Sequence, residues 1–587
     1  MIGAVLVLIT WALLLVVWTI TGAVATSPRI TLNAGGMRAR IRRSMWWGLA
    51  IFALAVLATG YFLPLEAAAA AISVIAVLTP LAVLGVLSLS RNRTGRRRAD
   101  STPIARRLLI GALVIATGYL AWAALGPVTN YDTGLYHLGA IRYAAEYPTI
   151  PGLANLYFPF GYGNAQFPLA AFLGNGPWAG EGYRLLNGLL FAALVADLGL
   201  RGRSRSLGTY VLLIGAVVIA VPMVALDDYW ITSPTSDSAV FILSTLSIAY
   251  LADGLSRART APKAAGADLL VALLLAVLTV TLRPLMAVFA LTALLLVLSV
   301  QIPALKSLRR SLGRPSILPA AWGLWGALTV GLATVQTLRD YRLSGWLQYP
   351  LSIGPFPVPW RAPDPIWNRT PTLGAARDPE DLWAAAEGWQ WIGPWAARLP
   401  SQWEAYLLAL LILAGLVGFA LTWRRIPKRV LVATMIPILV LDAVWFLASP
   451  PSFRFAWGPI FALGIVPLAA AMQQWARMSP RGTIVTTAAL TSGALAVLVM
   501  TAVTAFTRSD PQTRTTAIEW RVGPIAVQLP ATPITEAPVI ERTLDSGLRV
   551  LIPTESDQCW DNYPLCTAQL EPTVGLRGEG IADGFAP

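Results

Sequence analysis

One short run of the sequence gathers an aspartate, two tyrosines and the only histidine of the chain. This run, Tyr131-Asp132-Thr133-Gly134-Leu135-Tyr136-His137, follows shortly after an apolar segment. If residues 133–146 form a helix, Asp132 is placed to cap its N-terminus, with Tyr136 and His137 within about a turn and a half. A carboxylate in this position can also act as a general base toward a hydroxyl group. The run therefore predicts a helix cap with a structural histidine, or a catalytic Asp132 with Tyr136 and His137 beside the substrate, and a capping Asp132 could also be catalytic.

A second acidic group follows two apolar segments later. Asp227 and Asp228 are adjacent, and two like charges beside a bilayer need a cation or an arginine as partner. Asp237 precedes the next apolar run, so it is either the N-cap of that helix or a substrate-binding residue. Carboxylates are ligands that hard divalent cations prefer, so Asp132 and Asp228 predict a site for Mg²⁺ or Mn²⁺.

Three arginines are candidates for binding an anionic substrate. Arg142 lies in the same segment as the first acidic run, while Arg283 and Arg454 each stand alone between apolar segments. A guanidinium fork fits a phosphate group bidentately. Structural ion pairs with Asp227, Asp228 or Asp237 are the alternative for Arg283 and Arg454.

Composition places these residues beside a membrane. The chain has 587 residues, of which 56% are hydrophobic and only 13% charged, and its mean hydropathy is +0.62. Soluble domains carry roughly 25% charged residues, and apolar runs of about 20 residues, long enough to span a bilayer, recur here. The fold class is therefore an all-α polytopic membrane protein with about fourteen transmembrane helices. The predicted spans are 2–22, 45–63, 67–89, 108–126, 183–199, 207–225, 238–253, 268–282, 285–302, 317–335, 405–422, 430–448, 456–472 and 483–506.

The distribution of basic residues predicts the orientation of these spans. Every second connection, beginning with 27–44, is rich in arginine, and together these connections hold 28 of the 44 basic residues. Short basic connections remain in the cytoplasm, so both termini and the acidic runs are predicted on the outer face. The alternation requires a chain reversal at Arg283-Pro284. The net charge of +14 is accounted for by these topology signals, and no nucleic-acid partner is predicted.

This topology divides the chain into membrane regions and outer segments. The segment 336–404 is dense in tryptophan and proline, which suits either the membrane interface or a sugar-stacking surface. The tail is predicted to form a small α/β or irregular module. The predicted regions are 1–126 (four membrane helices), 127–182 (outer loop with the acidic run), 183–335 (central helices), 336–404 (outer loop), 405–506 (C-terminal helices) and 507–587 (outer tail).

The two cysteines of the chain, Cys559 and Cys566, both lie in the tail. Asn562-Tyr563-Pro564 between them favours a turn, and a disulfide is permitted outside the cell. We therefore expect a disulfide, with two unpaired thiols as the alternative.

The pattern resembles the GT-C superfamily of integral-membrane glycosyltransferases, which have many helices, an essential aspartate in an early outer loop and a lipid-phosphate-linked sugar donor. More closely, the run 131–137 with Tyr147-Pro148, Pro151-Gly152 and Arg454-Phe455 is similar to a bacterial membrane-protein family associated with envelope polysaccharides. The ending from Asp557 to Phe585 shares this likeness. In GT-C enzymes the aspartate usually follows the first span, whereas Asp132 follows the fourth.

The resemblance implies sugar transfer from a polyprenyl-phosphate donor to a glycan or lipid acceptor of the cell envelope. Asp132 would then be the base or a metal ligand, and Arg283 and Arg454 would bind the donor phosphate. The expected location is the outer face of a bacterial plasma membrane; 41 arginines against 3 lysines indicate a genome of high GC content. The alternatives are a transporter or flippase of lipid-linked saccharides and a non-catalytic subunit of envelope assembly.

Overall fold

The architecture is a bundle of long helices with a small β-containing tail. The computed structural model describes residues 2–27, 36–90, 103–226, 231–302, 310, 312–478, 480–508 and 513–587. Within these ranges fourteen helices have 13 residues or more. They are α1 (Ile2–Gly22), α2 (Met37–Phe62), α3 (Ala68–Ser90), α4 (Ile104–Ala123), α5 (Leu186–Leu200), α6 (Leu207–Ala220), α7 (Ser236–Arg257), α8 (Pro262–Leu282), α9 (Ala287–Ser299), α10 (Pro319–Ser344), α11 (Trp403–Thr422), α12 (Lys428–Ala448), α13 (Trp457–Met478) and α14 (Pro480–Thr507).

Twelve of the described helices are long and apolar enough to cross a membrane, which makes the chain a polytopic all-α protein. The predicted spans 285–302 and 317–335 correspond to α9 and α10, which are not among the twelve. Helix α9 is short, and the apolar run of α10 is interrupted by Gly, Trp and Thr residues. The predicted break at Arg283-Pro284 is present, because α8 ends at Leu282 and a short 3₁₀ turn precedes α9.

Helix α7 lies at the centre of the bundle. Its most apolar window is completely buried, whereas the corresponding windows of α1, α3 and α11 are only 22% buried. Helix α8 is nearly as deeply buried and packs against α7. The exposed apolar side chains of the outer helices are those expected to face lipid, so α7 and α8 form the protein-facing core.

A buried ion-pair network joins α2, α5, α7 and α8 at the end of α7 where Arg257 lies. The carboxylates of Asp197, Asp253 and Asp268 are fully buried there. Arg201 binds Asp197 and Asp253, each at 2.7 Å, while Arg257 binds Asp268 at 2.7 Å. Arg43 completes the contact with α2, its Nε lying 2.9 Å from Asp268 Oδ1.

The network corrects one aspect of the sequence interpretation. Arg42, Arg43, Arg201 and Arg257 lie in connections that the sequence analysis interpreted only as cytoplasmic topology signals. Their side chains turn inward and pair with buried acids of neighbouring helices. Helix α2 begins at Met37, ahead of the predicted span at 45, and this extra helix carries Arg42 and Arg43 into the bundle. Their alternation with the acidic connections is unchanged, and the assignment of this end to the cytoplasm remains a prediction.

The tail folds as three antiparallel hairpins linked by irregular chain. Strands β3 (Thr516–Val522) and β4 (Ile525–Ala531) pair, as do β5 (Val539–Thr543) with β6 (Arg549–Pro553) and β7 (Gly575–Leu576) with β8 (Phe585–Ala586). Another small hairpin, β1 (Trp346–Gln348) with β2 (Ile353–Pro355), follows α10. Cys559 and Cys566 form the predicted disulfide.

The tryptophan-rich segment is divided between buried and exposed rings. Trp346 and Trp391 are buried, whereas Trp367, Trp383 and Trp389 are exposed. These exposed rings lie in or beside short helices, Ile366–Arg377 and Leu382–Ala386. Exposed rings of this kind suit both an interfacial anchor and a sugar-stacking surface.

Replacing Asp268 by asparagine should destabilise the bundle strongly. Arg43 and Arg257 would each lose a charged contact at 2.9 Å or closer inside the network, and removing one partner of a buried ion pair costs about 3–5 kcal/mol. The melting temperature of the purified protein in detergent should therefore fall well below that of Asp545→Asn, a matched change at an exposed aspartate of the tail. Equal melting temperatures for the two variants would contradict a stabilising role for the network.

Candidate functional site

Asp132 and Asp237 are presented by helix starts at one end of the bundle. Asp132 directly precedes a π-helical turn, Thr133–His137, which continues into the helix Leu138–Glu146. Asp237 lies in the first turn of α7, where the N-terminal dipole of the helix favours a negative charge. Neither aspartate is an N-cap acceptor: Asp132 makes no capping hydrogen bond, and the cap of α7 is Thr235, whose hydroxyl accepts from the N–H of Asp237. The capping interpretations of both residues are therefore wrong.

Arg283 and Arg454 reach the same place because proline interrupts the helices around them. Arg283 is the extended residue between α8 and Pro284, in the conformation that a following proline imposes. Arg454 lies in the 3₁₀ turn Phe453–Phe455, between α12 and α13 and after two consecutive prolines. Both guanidinium groups lie against the ring of Phe455, at 4.5 Å for Arg283 and 5.3 Å for Arg454. A single aromatic ring therefore holds the two cations side by side.

The four residues Asp132, Asp237, Arg283 and Arg454 form what we call the charge cluster. Arg454 Nη1 donates to Asp132 Oδ2 at 2.7 Å and lies 3.7 Å from Asp237 Oδ2. Arg283 Nη2 donates to the other oxygen of Asp237, and its Nη1 donates to the backbone carbonyl of Arg454 at 3.3 Å. The cluster carries two negative and two positive charges, so it is neutral overall.

The two halves of the charge cluster differ in exposure. The Asp237 side chain is 2% exposed, whereas those of Asp132 and Arg454 are 20% and 32% exposed. Asp237 is therefore the internal anchor that fixes both arginines, while Asp132 and Arg454 face the accessible side. Because Asp132 and Asp237 lie close to Arg454, they raise its pKa despite the opposing effect of burial. Arg454 is permanently charged in this position.

His137 and Tyr136 line the interior behind Asp132. The His137 ring packs on Tyr136 and Phe167, with centroid distances of 4.5 Å and 5.3 Å. Its Nδ1 lies 3.3 Å from the hydroxyl of Thr133, which in turn bonds to Ser233 at 2.8 Å. Burial lowers the pKa of His137 to about 4 and raises the pKa of Tyr136 well above its ordinary value. Both rings are therefore uncharged at neutral pH.

The C-terminal tail covers the segment that presents Asp132. The backbone N–H of Trp560 donates to the carbonyl of Gly134 at 2.9 Å, and the indole ring occupies the space that a Cβ at Gly134 would need. The Tyr131 hydroxyl donates to the carboxylate of Asp557. The disulfide-closed loop of the tail therefore rests directly on the acidic run, a contact that the sequence did not predict.

Arg142 contributes to this tail contact. It forms an ion pair with Asp561, and its guanidinium lies 5.7 Å from the ring of Tyr563. The structure therefore brings Asp132, Asp237, Arg283 and Arg454 into mutual contact, and it engages Arg142 with the tail.

Two predicted residues, Asp227 and Asp228, lie outside the described residues. Of the two ligands of the predicted metal site, Asp132 and Asp228, only Asp132 lies among the described residues. Within the described ranges, no group of three or more His, Cys, Asp or Glu side chains could hold a metal ion. The positive charges beside Asp132 in the described structure are those of the arginines.

A buried aspartate that the sequence analysis missed lies near these residues. Asp340, in the last turns of α10, is fully buried and accepts from Gln348 Nε2 at 2.9 Å and Gln336 Nε2 at 3.3 Å. A Cβ added to Gly163 would clash with Asp340 Oδ1 at 1.8 Å. The next residue, Asn164, donates to Ser236 at 3.1 Å, immediately before Asp237. The sequence contained a signal for Asp340, because an acidic residue at the end of an apolar run is energetically costly beside a membrane unless it is paired.

The buried His137 should make stability fall at acidic pH. The pKa is about 4 in the folded protein and about 6.5 when unfolded, so protonation favours the unfolded state as the pH falls through this window. The loss amounts to about 3 kcal/mol when the pH reaches 4. His137→Gln, which cannot titrate, should show a smaller decrease in melting temperature between pH 7 and pH 4.5. Parallel curves for the two proteins would contradict a buried, neutral His137.

Comparison with known proteins identifies a family without an assigned activity. No curated protein and no solved structure matches the chain significantly. A family model described as a domain of unknown function, DUF8201, matches residues 4–461. The match includes all four residues of the charge cluster and ends before α14 and the tail. Since it covers most of the chain, the protein belongs to the DUF8201 family.

Proposed function

We propose that this protein is a membrane glycosyltransferase that moves a hexose or pentose from a polyprenyl-phosphate donor to a glycan or lipid acceptor of the cell envelope. The observation that carries the proposal is the partly exposed pair of Asp132 and Arg454, held at the end of the bundle by Arg283 and the buried Asp237. This arrangement supplies a carboxylate for the acceptor and guanidinium groups for the donor phosphate. The GT-C resemblance of the sequence points to the same chemistry.

The two arginines have donor capacity left for a phosphate group. A guanidinium carries five N–H donors. The described contacts use one donor of Arg454, toward Asp132, and two of Arg283. A phosphate beside Phe455 could therefore accept from both arginines while Asp237 remains bound to Arg283. Charge-assisted bonds of this kind also stabilise the negative charge that develops when the phosphate leaves.

Binding of the phosphate would free Asp132 for its role as base. In the resting cluster its carboxylate accepts from Arg454 at 2.7 Å. A phosphate that takes over this donor leaves Asp132 charged and available to the acceptor hydroxyl. Asp132 then removes the proton of the acceptor hydroxyl as the hydroxyl oxygen attacks the anomeric carbon. The bond from that carbon to the phosphate oxygen breaks, and polyprenyl phosphate departs with the bonding electron pair. The configuration at the anomeric carbon is inverted.

The position of the cluster suits a lipid-linked donor. It lies at the end of α7 and α8, both of which are candidate membrane spans, so its depth matches that of a lipid phosphate. In this proposal the phosphate enters the cluster while the polyprenyl chain remains in the bilayer. The predicted orientation places this end on the outer face of the plasma membrane. A divalent cation, if the donor needs one, would have to compete with Arg454 for Asp132.

The arrangement of charge favours this proposal over transport. A transporter of lipid-linked saccharides needs polar groups along a path through the bilayer. The charge cluster and the buried ion-pair network lie at opposite ends of α7, and the helix carries no charged residue between Asp237 and Asp253. Asp442 in α12 is the exception, since neither of its buried carboxylate oxygens has a hydrogen-bond partner. A non-catalytic assembly subunit is the remaining alternative, with the tail as its docking surface.

Asp132→Asn should abolish sugar transfer without unfolding the protein. The amide keeps the size of the side chain and can still accept from Arg454, but it cannot take the acceptor proton; loss of a general base typically costs about 10²–10⁴-fold in rate. The assay follows labelled hexose or pentose from polyprenyl-phosphate donors to envelope acceptors in reconstituted membranes. Asp545→Asn, an exposed aspartate in the tail, is the matched control and should retain full activity.

The same reconstituted membranes distinguish the glycosyltransferase from the transporter and from the assembly subunit. Transfer by Asp132→Asn at the wild-type rate would reject the catalytic assignment. Movement of a labelled lipid-linked saccharide across the vesicle bilayer, without any transfer, would support the transporter instead. Neither activity with any donor tested would favour the assembly subunit.

A further inference from the structure

A small cavity lies where the C-terminal ends of α2 and α10 meet the segment that follows the acidic run. Its volume is about 30 Å³, and its lining includes Gly60, Thr149, Phe160, Tyr162, Phe167 and Arg339. A single water needs roughly 10–15 Å³ of such space. The cavity therefore has room for a ligand no larger than about two waters, which excludes a sugar, a phosphate group or a lipid chain.

Arg339, in the last turns of α10, brings a buried positive charge to this cavity. The residue is 5% exposed. In the described structure its guanidinium makes one long hydrogen bond, from Nη1 to the Thr149 hydroxyl at 3.4 Å, and its buried Nε has no acceptor. The Thr149 hydroxyl in turn donates to the Gly60 carbonyl at 3.0 Å. A guanidinium has five N–H donors, and buried charges are ordinarily paired and hydrogen-bonded, so the protein leaves most of this donor capacity unused.

The neighbouring Asp340 compensates this charge only in part. Its carboxylate accepts from Gln348 and Gln336, at 2.9 Å and 3.3 Å, so it is engaged by amides rather than by the guanidinium. Burial raises the pKa of Asp340 well above its ordinary value, which weakens it as a counter-charge. Burial also lowers the pKa of Arg339 to about 10, a value at which the guanidinium is still charged at neutral pH. The carbonyl end of α2 adds only a partial negative charge.

We infer that this cavity binds a monatomic anion, chloride, beside the Arg339 guanidinium. Chloride accepts charge-assisted N–H bonds from any direction, and as a single atom it fits a volume that excludes oxyanions. Tyr162 and Phe167 of the cavity also contact the ring of Tyr136, with centroid distances of 5.8 Å and 5.9 Å. The site therefore lies behind the aromatic rings next to Asp132. It shares no residue with the charge cluster, so the inference does not depend on the proposed glycosyl transfer.

Thermal unfolding of the full-length protein in detergent tests this site, with sodium chloride compared against sodium gluconate at equal ionic strength and pH. Gluconate is too large for the cavity, so chloride in several-fold excess over its Kd should raise the melting temperature by roughly 2 °C, and the rise should saturate. Arg339→Met keeps an unbranched side chain without the charge and should lose this dependence on chloride. Arg342→Met is the matched control. Arg342 lies one turn further along α10, partly exposed, with its guanidinium 5.3 Å from the ring of Tyr61, and its replacement should leave the chloride effect unchanged.

Anomalous X-ray diffraction from crystals of the wild-type protein grown in sodium bromide locates the anion without relying on a variant. Bromide replaces chloride as a monatomic anion, so we expect an anomalous peak within hydrogen-bond distance of the Arg339 guanidinium. Absence of a peak there would overturn the assignment, since the cavity would then hold water. Equal melting temperatures of the wild-type protein in the two salts, or a chloride effect that survives Arg339→Met, would also overturn it.

Discussion

Helix α7 carries a buried carboxylate near each of its ends, and the pairing of these two charges constrains the rest of the bundle. Asp237 and Asp253 are separated by 16 residues, or about 24 Å along the helix axis. Each is surrounded by other helices, and a buried charge is tolerated only when it is paired and hydrogen-bonded. The arginines that pair with them come from α8 and the α12–α13 connection at one end, and from the α5–α6 connection at the other. The ion pairs thereby fix how these helices are aligned along their length.

The pairing of Asp237 also divides the candidate site into a buried part that holds the arginines and a partly exposed part, Asp132, that is proposed to react. Asp237 is inaccessible and holds Arg283, which contacts the backbone of the turn that carries Arg454. Arg454 is therefore held in place even if Asp132 is released from it. The proposed exchange of Asp132 for a phosphate needs such a division, because the arginines must keep their positions when Arg454 changes partner. The tail loop, resting on Gly134, restrains Asp132 from the other side.

The sequence predicted an all-α membrane bundle and singled out the four residues that meet in the charge cluster, for identifiable physical reasons; their roles remain predictions. Apolar runs and basic connections are local signals, so the twelve candidate spans and the break at Arg283-Pro284 could be located directly. The common depth of Asp132, Asp237, Arg283 and Arg454 followed from the alternation of the connections. The alternation of connections could not reveal which of the two carboxylates is buried, because the exposure of Asp237 depends on how α7 packs against its neighbours. The capping assignment of Asp132 failed because its carboxylate binds an arginine more than 300 residues away, and that of Asp237 failed because Thr235 is the cap of α7.

Other features depend on contacts that no local pattern encodes. The arginines of the buried network resemble ordinary topology signals until α2, α5, α7 and α8 are packed together. The contact between Trp560 and Gly134 joins segments that are far apart in the chain, and Gly134 alone could equally mark a flexible turn. Asp340 was overlooked because it lies beyond the predicted end of its span. In each case the partner residue, which is supplied by the tertiary fold, gives the side chain its role.

The central claim is that Arg454 exchanges Asp132 for the phosphate of a polyprenyl lipid while Asp237 keeps its hold on Arg283. A cryo-EM structure of the protein with a bound polyprenyl phosphate tests this directly. We expect the phosphate beside Phe455, within hydrogen-bond distance of both guanidinium groups, with the Arg454–Asp132 contact opened and the Arg283–Asp237 contact intact. A head group bound elsewhere, with the Arg454–Asp132 ion pair unchanged, would contradict the account.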